Sequence, residues 1–181
     1  MIDPRNIHTI VFDFDGVFTD NKVYVSQQGE ESVRCSRSDG YAVDLLRKAQ
    51  KHELLKADFF VLSTEKNLVV SKRCEKMRIT CYTGIDSKVA FLNDWLQNNR
   101  ANYRNPLSGV VYFGNDLNDY SVMKNVGFSI APVDAHPKIR EIATLTLNSK
   151  GGEDFVREGV ELLLGIQNMS DGDFDEFISF G

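Results

Sequence analysis

Two aspartates separated by one residue close a short apolar run, Val11-Phe12-Asp13-Phe14-Asp15-Gly16. One such carboxylate can act as a nucleophile and the other as a proton donor, and together they can hold a cation. A second apolar run ends Ser63-Thr64-Glu65-Lys66-Asn67. A hydroxyl ahead of a helix N-terminus can hold a phosphate oxygen, and the same residue types also serve as helix caps. Lys88 follows Asp86-Ser87 at the start of a helical stretch. That is the positive end of the helix dipole, so Lys88 either has a negative partner or is simply solvated. A further run ends Gly114-Asn115-Asp116-Leu117-Asn118-Asp119. Its hard oxygen donors suit Mg²⁺. Asn115 or Asp116 also suits a helix cap, but a cap accounts for one polar residue and not for several.

Chemistry of this kind needs elements that bring the four segments to one place. The pattern alternates strand and helix. Strands are expected over residues 8–14, 58–63, 80–82, 109–114, 127–131 and 144–147. Asp39 can cap a helix over residues 40–50, where Leu45, Leu46 and Ala49 form an inward stripe. Further helices are expected over 67–77, 87–98, 116–125, 135–143 and 154–164, with Asp134 capping the fifth of these six. The alternation predicts an α/β fold, a doubly wound and mostly parallel sheet. The site segments then lie at the carboxyl ends of strands, where such sheets bind ligands. One segment breaks the alternation. Val23-Tyr24-Val25 and Val33-Arg34-Cys35 flank Gln27-Gln28-Gly29-Glu30, which predicts a β-hairpin within residues 21–36. Residues 1–165 are read as one domain. Residues 166–181 are read as an acidic, mobile tail, with the apolar residues Phe174, Phe177, Ile178 and Phe180 leaving room for docking.

The chain has 181 residues, 42% hydrophobic and 26% charged, with a net charge of −5. That balance suits a soluble globular domain and argues against nucleic acid, which needs a basic surface. The cysteines, Cys35, Cys74 and Cys81, make no CxxC pair and fit reduced thiols, with Cys74 and Cys81 inert in apolar stretches. No apolar stretch approaches bilayer length, and no secretory signal opens the sequence. A cytoplasmic protein without nucleic-acid or membrane partners is expected. His8, His52 and His136 do not cluster in sequence and are assigned no chemistry.

The assembly of Asp13-Phe14-Asp15-Gly16, Ser63, Lys88 and the Gly114–Asp119 segment resembles the haloacid dehalogenase superfamily of phosphohydrolases, which has a Rossmann-like core. The resemblance covers about residues 8–160. Asp13 to Asp20, the hairpin, Ser38-Asp39-Gly40, Arg73-Cys74, Gly114 to Asp119 and Gly151-Gly152…Val156-Arg157-Glu158 are similar to one branch. It comprises the phosphatases of 3-deoxy-D-manno-octulosonate (KDO) 8-phosphate and of nonulosonate 9-phosphates. It also includes the phosphatase-like C-terminal module of some acylneuraminate cytidylyltransferases. Family members often carry aspartate in place of Asn115. The KDO 8-phosphate enzymes usually carry Thr-Gly-Arg in place of Ser63-Thr64-Glu65, whose form looks more like the nonulosonate enzymes.

The resemblance implies a phosphomonoesterase acting on a phosphorylated 2-keto-3-deoxy sugar acid, with nonulosonate 9-phosphates ahead of KDO 8-phosphate. It implies that Asp13 is the nucleophile and forms an aspartyl phosphate, while Asp15 serves as acid and base. Ser63, Thr64 and Lys88 would bind phosphate. Mg²⁺ would be held by Asp13, the Asp15 carbonyl and Asn115, with Asp119 supporting the metal or Lys88. Glu65 would accept hydrogen bonds from sugar hydroxyls or pair with Lys66 or Lys72, making these the substrate-binding candidates. Neither insertion point has room for a cap domain, so the resemblance implies a homotetramer in which neighbours overhang each site. Two other readings stand beside this one. A non-catalytic oligomerisation or regulatory module is opposed by the intact Asp13, Asp15 and Lys88. A phosphorylatable receiver domain is opposed by the absence of aspartate in Thr80-Cys81-Tyr82-Thr83.

Overall fold

The computed structural model describes residues 6–179. The chain opens with β1 (Thr9–Phe12), β2 (Thr19–Val25), β3 (Glu31–Cys35), α1 (Arg37–Lys51) and β4 (Asp58–Leu62). It continues through α2 (Leu68–Met77), β5 (Thr80–Tyr82), α3 (Lys88–Asn99), β6 (Val110–Phe113) and α4 (Tyr120–Met123). It ends with β7 (Phe128–Ala131), α5 (Pro137–Ile142), β8 (Leu145–Thr146), α6 (Phe155–Leu164) and α7 (Asp171–Ser179). Six strands form one parallel sheet in the order β5-β4-β1-β6-β7-β8. The chain winds outward from β1 through β4 and β5, then returns to the other side of β1 with β6. That reversal opens a crevice beyond the carboxyl ends of β1, β4 and β6.

Every residue of β1 is buried, because helices cover both faces of the sheet. Ile10 and Phe12 join a core with residues of α1, α2, α6 and α7. Val11 joins a second core with Leu92 and Leu96 of α3, Val122 and Met123 of α4, and Ile139 of α5. Among the described residues no separate cap domain stands over the crevice. No described helix is long and apolar enough to cross a membrane.

The hairpin β2–β3 forms its own antiparallel sheet, with Val23 opposite Val33 and Val25 opposite Glu31. Arg34 pairs across it with Asp20 at 3.1 Å and ties it to the domain through Glu153 at 2.7 Å. Val23, Tyr24 and Val25 are 52%, 58% and 62% exposed.

The structure corrects several local expectations. Ser36 caps α1, accepting the Ser38 N–H at 3.1 Å, and Asp39 lies inside the first turn. Asp134 caps nothing and accepts the Gly151 N–H at 3.0 Å. His136 caps α5 instead, since Pro137 fixes the first helical position after it. The expected helix over 116–125 is a 3₁₀ turn, Leu117–Asp119, followed by the short α4. The Asp116–Asp119 capping box tightens that turn. The tail is not a mobile terminus over residues 171–179. Phe177 is buried there and packs on His52 with ring centroids 5.6 Å apart. Lys48 also donates to the Ile178 carbonyl at 2.8 Å. Burial of Phe177 offsets the ordering entropy that an acidic segment alone could not. Phe180 lies outside the described residues.

Asp39 accepts the Arg157 N–H at 2.9 Å, at the start of α6. Asp154, at the cap position of α6, makes no side-chain cap bond, so α1 supplies the anion for the positive end of this helix. Burial raises the Asp39 carboxyl to about 6, against the backbone N–H groups that lower it. The folded value lies above the ordinary carboxylate value, so this contribution to stability is complete below about pH 4. It is lost as the pH rises through about 6. Urea unfolding of the wild type and of Asp39→Asn at pH 4 and 7.5 measures it. The wild type is expected to lose on the order of 2 kcal/mol relative to the variant between these pH values.

Candidate active site

Asp13 is the first residue beyond β1, and its N–H continues the ladder to the Phe113 carbonyl at 2.9 Å. Its Oδ1 accepts the Phe14 N–H at 2.7 Å and meets Lys88 Nζ at 2.7 Å. Lys88 opens α3 behind the Ser87 cap and is 3% exposed. Its ammonium also meets Asp119 Oδ1 at 2.8 Å. Burial acts to lower the Lys88 pKa, but the two carboxylates outweigh it and hold the amine above its ordinary value. Of the two readings of Lys88, the solvated one is excluded.

Asp119 accepts on both oxygens. Oδ1 takes Lys88 and the Tyr112 hydroxyl, each at 2.8 Å. Oδ2 takes the Asn115 N–H at 2.9 Å and the Asp116 N–H at 3.3 Å. Both oxygens are therefore engaged, and Asp119 supports Lys88 and the 115–116 backbone. Gly114 is required here, since a Cβ would come within 2.8 Å of the Asp119 carboxyl. Burial and the neighbouring carboxylates push the Tyr112 phenol well above its ordinary value, so it stays a neutral donor. Tyr112 was not anticipated from sequence. Its one signal is a phenol inside an otherwise apolar strand, where a buried hydroxyl must find a partner.

Asp15 lies where the chain turns after Asp13. Its Oδ1 accepts the Thr19 hydroxyl at 3.3 Å, and that hydroxyl oxygen accepts the Gly16 and Asn21 N–H groups. Burial raises the Asp15 carboxyl. The charges of Glu65 and Glu31 add to the rise, while Thr19 and Lys88 oppose it. A carboxyl held up in this way suits a proton donor. Thr19, too, was missed from sequence.

Ser63 follows β4 and is 2% exposed; its N–H reaches the Tyr82 carbonyl at 2.9 Å and its Oγ accepts the Glu65 N–H at 3.0 Å. The cap of α2 is Asn67, so capping does not explain Ser63. Glu65 Oε1 accepts the N–H groups of Lys66 at 2.7 Å and Asn67 at 2.9 Å. Asn67 Nδ2 in turn donates to Glu31 of the hairpin. Lys72 pairs along its own helix with Glu75 at 3.2 Å, and the Lys66 stem packs beside Gly84. Neither lysine pairs with Glu65.

Two cavities meet at this edge. One, of about 300 Å³, is bounded by Asp13, Asp15, Ser63, Thr64 and Asn115. The other, of about 330 Å³, lies toward the hairpin beside Glu31, Glu65 and Asn67. Asp116 borders the first cavity and closes its own turn, accepting the Leu117 N–H at 2.7 Å.

The site fits a hard divalent cation. Asn115 Oδ1 is buried without a hydrogen-bond partner. Gly16, at φ +75, leaves space for the Asn115 amide that a Cβ would fill. Burial and the Asp119 charge push Asp13 upward while Lys88 pulls it down. A cation beside Asp13 would relieve the upward push. The candidate donors for such a cation would be two side chains, Asp13 and Asn115, and the Asp15 carbonyl. That mix is why no group of three acidic, cysteine or histidine side chains suited to a metal occurs among the described residues.

A family model described as haloacid dehalogenase-like hydrolase matches residues 86–154. The 3-deoxy-D-manno-octulosonate 8-phosphate phosphatase of Escherichia coli is 33% identical over 172 residues, 94% of this chain and 86% of that protein. The crystal structure of the enzyme of that name from Yersinia pestis superposes with a TM-score of 0.78 at 29% identity, over 92% of this chain and 85% of the other. The one from Moraxella catarrhalis shares the fold with a TM-score of 0.81 at 24% identity, over 98% and 94% of the two chains. That crystal contains a magnesium ion, a phosphate ion and KDO.

Removing the ammonium from between two buried carboxylates leaves an uncompensated pair. Lys88→Met is expected to lower stability by about 3–5 kcal/mol near neutral pH. Part of the loss should return at acid pH, as protonation of Asp13, already pushed upward by burial and the Asp119 charge, relieves the repulsion. Urea titrations across pH measure both effects; a pH-independent loss would contradict the charge argument.

Proposed function

Because this chain belongs to the haloacid dehalogenase superfamily, as a phosphatase of the KDO 8-phosphate phosphatase branch, we propose that it hydrolyses a phosphorylated 2-keto-3-deoxy sugar acid in the cytoplasm, through an aspartyl phosphate and with Mg²⁺. The reading is carried by Asp13, whose carboxylate is held 2.7 Å from Lys88 Nζ beside an unpartnered Asn115 Oδ1. Asp13 Oδ1 is occupied by Phe14 and Lys88, which leaves Oδ2 to attack phosphorus. As the ester P–O bond breaks, Asp15 gives its proton to the leaving oxygen. In the second step the Asp15 carboxylate takes a proton from water. The water oxygen displaces Asp13 from phosphorus and inorganic phosphate leaves. Lys88 and Ser63, with Thr64 at the mouth, hold the phosphoryl oxygens in both steps. Asp13, the Asp15 carbonyl and Asn115 would hold Mg²⁺, which when bound supplies positive charge against the dianionic phosphate.

The relatives make KDO 8-phosphate one substrate candidate. Glu65 favours nonulosonate 9-phosphates. Its carboxylate is fixed at the wall of the second cavity, where it can accept from the hydroxyls of a longer side chain. Phosphate release from KDO 8-phosphate and N-acetylneuraminate 9-phosphate, with and without Mg²⁺, tests the assignment. Activity is expected to need the metal, with the higher kcat/KM for the nonulosonate. Asp13→Asn is expected to lose roughly 10³-fold or more in kcat with the fold intact. Substantial turnover by that variant, checked for deamidation, would refute the nucleophile.

The exposed Val23-Tyr24-Val25 strand is the assembly element of a homotetramer in this reading. A two-stranded hairpin is marginal alone, and joining hairpins would bury its apolar face and pair its edges. Neighbouring chains would then cover the open crevice. Light scattering on the wild type should give a tetramer, and the doubly substituted Val23→Asp/Val25→Asp a smaller species with weaker sugar discrimination. A monomeric, fully active wild type would overturn the assembly and the lid together.

A further inference from the structure

The walls of the two cavities share three residues, Asp15, Thr64 and Asn21. Asp15 is the acid and base, and Thr64 belongs to the phosphate loop. Asn21 has no role in the scheme above. It is an exposed residue of β2 with φ 58, in the left-handed region. Side chains are uncommon there, Asn being among the most tolerant, and such outliers gather at ligand sites. The Asn21 N–H donates to Thr19 Oγ1 at 3.2 Å, and the Thr19 hydroxyl donates to Asp15 Oδ1 at 3.3 Å. The backbone turn thus serves Asp15, and glycine would make that turn with less strain. Glycine would leave the neck between the cavities without this side chain.

An ester with its phosphoryl group in the first cavity and its carbon skeleton in the second must pass this neck. Asp15 is there engaged with the ester oxygen and Thr64 with the phosphoryl group. We propose that Asn21 is a substrate-binding residue whose carboxamide hydrogen-bonds the hydroxyl next to the phosphorylated carbon, selecting polyol phosphates over esters that lack this hydroxyl. A carboxamide both donates and accepts, as a hydroxyl does. The proposal rests on the phosphatase reading and narrows its substrate class.

The test compares glycerol 3-phosphate with n-propyl phosphate in the presence of Mg²⁺, with p-nitrophenyl phosphate as a third substrate. The wild type is expected to favour glycerol 3-phosphate by about five- to tenfold in kcat/KM, the worth of one neutral hydrogen bond. Asn21→Gly keeps the N–H to Thr19. It is expected to bring the ratio close to one, with a Tm no lower than that of the wild type. Asn21→Asp keeps the shape, cannot donate, and sets a negative charge beside the phosphoryl cavity. It is expected to raise KM for both alkyl phosphates by about tenfold. A wild type without preference, an Asn21→Gly ratio equal to wild type, or an unchanged KM in Asn21→Asp would each overturn the role of Asn21. If the wild type releases phosphate from none of these three esters and from neither KDO 8-phosphate nor N-acetylneuraminate 9-phosphate, the phosphatase reading itself fails, and this proposal with it.

Discussion

One ammonium group, removed from water and shared by two carboxylates, sets the arrangement of the site. Lys88 Nζ lies 2.7 Å from Asp13 and 2.8 Å from Asp119. A lone charge at that depth would be strongly unfavourable, and so would either carboxylate without the lysine. The three groups are therefore interdependent. They fix the start of α3, the end of β1 and the turn after β6 relative to one another. Tyr112 and the N–H groups of Asn115 and Asp116 complete the shell of Asp119, so Lys88 has only limited freedom to turn away from Asp13.

Around this charge cluster the loops approach so closely that side chains are excluded. A Cβ at Gly16 would strike the Asn115 amide, one at Gly151 the Gly16 carbonyl, and one at Gly152 the backbone of Thr19. The Gly152 N–H reaches the Val17 carbonyl at 2.9 Å. The loop after β1 is thus clamped between the β6 turn and the loop before α6. Asp39 steadies that last loop from α1, and Arg34 and Glu153 connect it to the hairpin. Rigid walls of this kind suit a site whose chemistry is mostly positioning and charge compensation.

Much of this was legible in the residues. Apolar runs ending in polar clusters located the strands and the site edge, because a parallel sheet is covered on both faces and exposes ligand groups at strand ends. The hairpin was legible because two apolar runs, at Val23 to Val25 and Val33 to Cys35, flank a Gly-containing turn, and β2 and β3 contain those runs. Helix starts were less legible. Ser36 and Asp39 are both good caps, and only the tertiary pull of α6 on Asp39 decides between them. Asp134 was lost in the same way, to Gly151. Tyr112 and Thr19 escaped because a hydroxyl in a strand or turn has no periodic signature; its meaning comes from partners distant in space. The acidic tail was misread because one phenylalanine, Phe177, outweighs the surrounding charge once a groove exists to receive it.

The bond between Gly152 and Val17 joins the two ends of the domain, and it has a bearing on how the chain folds. β1 is made before residues 150–154, but the loop that shapes its carboxyl end waits for them. Contacts of such high sequence separation form late and slow the search for the native state. A nascent chain lacking residues 150–154 would hold β1 and its aspartates without the backstop that sets their spacing.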